Sequence, residues 1–215
     1  MSKGRRMVSS LWRHVLALTL MWPLAASTAP LGTIEGVVID DVCVVGGQPL
    51  LLNGAASHRR GYQKVAVVSL FLPGRASNIN QAEAMAGSKR IRVDVLRDVT
   101  GSMASRYFIN DFTNMTTTDE FKSLIPLVSE IGAQYGKLAL VKKGDVIQYD
   151  WLPGQGLVVT LNGRLMWNAR EAGASVASSE LLYRVHLRMY TKSAVAEVED
   201  NMFGRSRSMM MAVAR

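Results

Sequence analysis

Between Lys64 and Leu72 the chain reads Lys-Val-Ala-Val-Val-Ser-Leu-Phe-Leu, apolar on both of its alternating sets. A strand covered on both faces has this composition, so the segment predicts a central strand. Arg90 to Arg97 alternates differently, with Ile91, Val93 and Val95 on one side and Arg92 and Asp94 on the other. That pattern predicts a strand with one wet face, and strict alternation aims Arg97 at the covered side. There its charge needs an acid, and Asp98, Asp111 and Asp145 are the candidates; an anion anchor in a cleft is the functional alternative.

Ile147, Tyr149 and Trp151 alternate with Gln148 and Asp150, Pro153 to Gly156 supplies turn chemistry, and Leu157, Val159 and Leu161 resume the pattern. Asn162-Gly163 then predicts a tight turn into Arg164 to Trp167, because that pair accepts positive φ. The result is a three-strand meander. Helical periodicity places Ala104, Phe108, Phe112 and Met115 on one stripe, and Phe121, Leu124, Ile125, Val128 and Ile131 on another. Thr117 with Glu120 forms a capping box, while Pro126 is expected to kink or interrupt the second helix. Residues 179–190 and 194–203 predict two further helices, ended by Gly204.

The first residues carry Lys3, Arg5, Arg6 and Arg13 without an acid, then the apolar Val15 to Trp22 and small residues Ala25 to Ala29. This is the pattern of a secretory signal, with an apolar core too short for a comfortable membrane span, so residues 1–29 are set outside the fold. Their removal lowers the formal charge from +8 to 21 basic against 17 acidic residues, or +4. The remaining cations are scattered and carry no nucleic-acid motif, which sets that class aside. Residues 30–204 suit one domain, followed by a basic, methionine-rich tail at 205–215. Cys43 is the only cysteine, so no intrachain disulfide and no cysteine-based metal site is expected.

Strands, two helices, a meander and two closing helices predict an α+β fold in which helices cover one face of an antiparallel sheet, an open-faced sandwich. In order, Leu52-Asn53-Gly54, Val65 to Leu72, Val93 to Val99, Lys143-Gly144-Asp145 and Leu182 to Tyr190 resemble the bacterial chalcone-isomerase-like family from about Gln48 to Gly204. The ordered set carries the resemblance rather than any single motif. In the plant enzymes of this fold, an arginine after the Asn-Gly turn holds an anionic phenolate, and threonine, tyrosine and asparagine arrange the site. The resemblance puts those positions at His58 (beside Arg59), Ala66, Ala104 and Asp111. Losing one polar stabiliser costs roughly 100- to 1,000-fold in rate, so the resemblance implies a fold without isomerase activity.

Non-catalytic plant relatives hold fatty acids in the same cleft through an arginine and a tyrosine. The expectation is therefore a periplasmic or secreted, non-catalytic binder of an apolar or amphipathic small molecule such as a fatty acid. Arg59, His58, Arg97 and Tyr62 are its ligand-binding candidates, with Tyr62 replacing a missing hydroxyl. Solvated loop positions are the plainer reading of Arg59 and His58. An isomerase or lyase acting on a flavonoid-like substrate, and an interaction module with a closed core, are the alternatives. No catalytic residue, cofactor or metal is expected: His186 shares a stripe with Leu182, Val185 and Met189 and is read as a hydrogen-bonded core residue.

Overall fold

The computed structural model describes residues 30–192 and 196–204, so the signal-like segment and the tail lie outside the described residues. In chain order the elements are β1 (Pro30–Ile34), β2 (Val37–Asp40), β3 (Val42–Val45), β4 (Gln48–Arg60), β5 (Gln63–Leu72), α1 (Ile79–Ala84), β6 (Lys89–Val95), β7 (Val99–Thr100), α2 (Gly101–Asn114), α3 (Thr118–Gly136), β8 (Leu140–Val141), β9 (Val146–Leu152), β10 (Gly156–Leu161), β11 (Arg164–Asn168), α4 (Val176–Thr191) and α5 (Ala196–Met202). Seven strands form one sheet in the order β11-β10-β9-β6-β5-β4-β3, antiparallel throughout. As expected, β5 is internal to the sheet and β9 to β11 form the meander, turned at Asn162 and Gly163 with φ of 51° and 76°.

Apolar side chains on the two faces of the sheet form two cores. On the helical face Val68, Leu70 and Leu72 of β5 meet Phe108, Phe112, Leu124, Ile131, Leu182 and Val185 of the helices. On the other, Val67 and Phe71 pack with Leu50, Leu52 and Ala55 of β4 and with Ile39 of the β1–β2 hairpin. The expected wet side of β6 is in fact half-covered. Arg90 forms a two-pronged pair with Asp150 directly across on β9 (2.7 and 2.6 Å), and Arg92 bonds Asp94 and reaches Asp40 of β2. Short strands such as β2 escaped periodicity because four residues do not display a period.

Two helical expectations need correction. Ile125 is 43% exposed and Leu127 is buried instead, since α3 turns its stripe toward the sheet through Leu124, Leu127, Val128 and Ile131. Pro126 neither ends nor divides α3. Pro126 and Lys122, whose carbonyl loses its donor, both lie on the solvent side, where water satisfies it. The Thr117–Glu120 capping box is present, and Arg188 of α4 also grips Glu120 (2.8 and 3.1 Å), holding that carboxyl down to about 2 through this hydrogen bond.

Asn53-Gly54 is not a turn. It is a bulge inside the thirteen-residue β4, where the register against β5 shifts between Leu52 and Gly54. Asn53 Nδ2 donates to the carbonyls of Met202 (2.8 Å) and Ala76 (3.1 Å), and its Oδ1 accepts the Ala76 N–H (2.8 Å). A Cβ on Gly54 would stand 2.2 Å from the Asn201 carbonyl oxygen, so glycine lets α5 lie directly on the strand. The pair fastens the closing helix to the sheet.

Candidate functional site

Because β4 runs on to Arg60, residues 56, 58 and 60 alternate onto the helical face. Ala56 belongs to the helix-side core, His58 is half-buried opposite Ala66 of β5, and Arg60 reaches Asp111 of α2. The register shifts again between His58 and Arg59, where the extra residue is Val65 of β5, so His58 and Arg60 keep to one face of β4. Tyr107 and Asp111 lie one helical turn apart on α2, so both meet Arg60: Asp111 accepts its hydrogen bond, and the Tyr107 ring centre is 4.0 Å from the guanidinium carbon.

Behind this pair the polar groups continue inward. The His58 ring lies 6.1 Å from that of Tyr190 on α4, Tyr190 Oη donates to Tyr149 Oη (3.0 Å), and Tyr149 shares a 2.5 Å hydrogen bond with Tyr135. His186, one turn before Tyr190, lies tilted against Tyr149 with ring centres 4.8 Å apart and stands 5.7 and 5.9 Å from Phe108 and Phe112. Its Nδ1 lies 2.7 Å from the Leu182 carbonyl; a carbonyl only accepts, so Nδ1 carries the proton and Nε2 keeps a lone pair without a partner among the described residues.

Burial sets the charges here. It pushes the phenols of Tyr135, Tyr149 and Tyr190 well above the usual tyrosine range, so each stays protonated and serves as a neutral hydrogen-bonding group. Burial likewise lowers His58, against the opposing pull of Asp111, and lowers His186 to about 4. The described interior is thus a neutral hydroxyl and imidazole ladder inside an apolar shell, with the part-exposed Arg60 at its edge. The position across from His58 holds only the Ala66 methyl group, and Asp111 is engaged by Arg60.

Of the four candidates named from sequence, only His58 belongs to this interior. Arg59 alternates to the opposite face, and Tyr62, in the β4–β5 turn, is 100% exposed. Arg97 is also exposed, because β6 ends at Val95 and alternation ends with it. Its Nε donates to the Lys64 carbonyl, whereas Asp111 serves Arg60, Asp98 accepts the Lys143 N–H, and Asp145 accepts from Lys142 and Asn162. Arg60 was missed although the alternation Ala56, His58, Arg60 was visible; it requires β4 to be read as a strand rather than a turn followed by loop. His186 is fully buried and hydrogen-bonded, as expected.

The sequence pattern of the family described as chalcone isomerase-like matches residues 31–177. The chain belongs to the chalcone isomerase-like family. Among solved structures it is similar to a fatty-acid binding protein of Arabidopsis thaliana, with a TM-score of 0.61, 13% sequence identity, and coverage of 84% of this chain and 99% of the other. At that identity the likeness concerns the fold, and it matches the curled sheet with helices on one face. No curated protein matches the chain in sequence. Among the described residues no helix is long and apolar enough to cross a membrane, and no three His, Cys, Asp or Glu side chains gather as metal ligands.

Proposed function

We propose that this chalcone isomerase-like chain is an exported, non-catalytic binder of an amphipathic carboxylic acid, of which a fatty acid is the simplest example. The observation that carries the reading is Arg60: a part-exposed cation at the edge of the neutral interior, on the same strand face as His58. An incoming carboxylate replaces the Asp111 carboxylate on Arg60, like for like, and the acyl chain passes beside Tyr190 toward Phe108. A charged head-group hydrogen bond contributes about 1.5–3 kcal/mol, whereas each buried CH₂ contributes about 0.8 kcal/mol, so the tail supplies most of the affinity. The Arabidopsis neighbour, described as fatty-acid binding, supports the ligand class, and the signal-like residues 1–29 support export to the periplasm or medium.

The packing favours one second reading. Phe112 and His186 are fully buried and Phe108 is 5% exposed, so these rings must part to admit a chain; if they do not, the domain is a closed interaction module. Native mass spectrometry and thermal melting with laurate, palmitate and oleate separate the two. A retained acid and a raised Tm are expected, both weakened by Arg60→Ala. Neither adduct nor shift in delipidated, refolded protein overturns binding in favour of the closed module, and turnover of a chalcone overturns the non-catalytic assignment.

A further inference from the structure

The three sequence candidates that miss the interior come together elsewhere. Arg59, Tyr62 and Arg97 line a solvent-open depression of about 830 Å³ on the outside of the fold, joined by Lys143 and bordered by Glu35 and Asp98. Its walls are three connections at one end of the sheet: the β4–β5 turn, the segment after β6, and the turn before β9.

The local acids are engaged. Glu35 pairs with Lys64, Asp98 caps the Lys143 backbone N–H (2.7 Å), and Asp145 accepts the Lys142 N–H (2.7 Å) and the Asn162 amide (2.8 Å). Among the described residues no carboxylate forms an ion pair with Arg59, Arg97, Lys142 or Lys143, and all four are exposed. Between these cations stands Tyr62, an aromatic side chain with its whole surface in water. None of the described residues packs against it, so their folding does not explain its presence at the tip.

We propose that this end of the sheet docks on an anionic phospholipid surface. The cations meet lipid phosphates, and Tyr62 enters the headgroup layer, where an amphipathic ring is favoured. A nucleic-acid strand fits less well, because a single aromatic offers no series of stacking platforms along a basic track. Arg60 follows Arg59 with its side chain on the opposite face, so docking also brings the mouth of the internal site to the bilayer. The docking surface does not depend on that site being occupied.

Co-sedimentation of the full chain with phosphatidylglycerol vesicles, against phosphatidylcholine vesicles, tests the proposal. Three variants are compared: Arg59→Glu with Arg97→Glu; Tyr62→Ser; and Arg75→Glu with Arg170→Glu, two exposed cations at the other end of the sheet. Partitioning to the anionic vesicles is expected to fall roughly fivefold for each charge removed at the depression, severalfold for Tyr62→Ser, and little for the distant pair, which carries the same change in net charge. Equal partitioning to neutral vesicles, or equal losses in both double variants, overturns the proposal. Release from the vesicles by millimolar inorganic phosphate that requires Arg59 and Arg97 also overturns it, in favour of a soluble-anion site. Fatty-acid retention measured without vesicles reports separately on the internal site.

Discussion

Asp111 of α2 accepts a hydrogen bond from Arg60 at the end of β4, and so occupies the cation that an acidic ligand would need. Both side chains are more than a quarter exposed, so the pair contributes little to stability, about 0–1 kcal/mol. Under the proposed binding role its larger effect is on ligand affinity. Asp111→Asn is expected to raise carboxylate affinity about ten- to a hundredfold, and Arg60→Ala to lower it similarly, with Tm of the free protein nearly constant in both. Isothermal titration with laurate reads the difference; equal affinities would remove Arg60 from the head-group site.

The hydroxyl ladder makes Tyr149 the member with two partners. Tyr149→Phe leaves the fully buried Tyr135 hydroxyl without its hydrogen bond and removes the acceptor of Tyr190, a loss of about 1–3 kcal/mol. Adding Tyr135→Phe should cost less than the sum of the single changes, because the stranded hydroxyl is then gone. Urea unfolding of the two single variants and the double variant measures the coupling.

Asn53 and Gly54 should act on the far end of the chain rather than on their own strand. Asn53→Ala strips hydrogen bonds from the Met202 carbonyl and both backbone groups of Ala76, and Gly54→Ala forces a Cβ into the α5 backbone. Each is expected to destabilise by about 1–3 kcal/mol or more. Hydrogen exchange should show faster exchange concentrated in α5, with β9 to β11 still protected; uniform loss of protection would contradict the local role.

Acid sensitivity follows from His186. Its folded pKa, lowered to about 4 by burial, lies below the ordinary value of 6.5, so between these values the unfolded chain binds more protons. Stability is therefore full above pH 6.5 and declines as pH falls toward about 4, by on the order of 3 kcal/mol. His186→Phe, which keeps an aromatic ring there, should flatten this part of the profile. The Glu120–Arg188 pair acts separately and lower, its contribution fading from about pH 4.5 toward 2. Urea midpoints across the range distinguish the two windows.

Much of the architecture is visible in local pattern. The doubly apolar run of β5, the alternation of β9 and β10, the Asn162-Gly163 turn and the Phe108–Phe112 stripe each follow from a period of two or 3.6, which burial on a sheet or helix imposes. Alternation carried past its strand failed at Arg97, since two residues beyond Val95 the backbone no longer obeys it. At the site the local signals were weaker still. No spacing in the sequence brings Arg60, Asp111 and Tyr190 together, because their elements meet only through the packing of α2 and α4 on the sheet.

The amino-acid order alone determined the family, the layered arrangement and the loss of side chains such as the hydroxyl that Ala66 lacks, all of which depend on residue type and near neighbours. Tertiary structure decided which arginine faces inward, that its charge is matched by Asp111, and that Arg59, Tyr62 and Arg97 gather on the outside. Those outcomes turn on the bulge at Asn53 in β4, which reverses the face of every residue beyond it. A one-residue register shift leaves almost no trace in hydropathy, yet it moves a charge from one side of the sheet to the other.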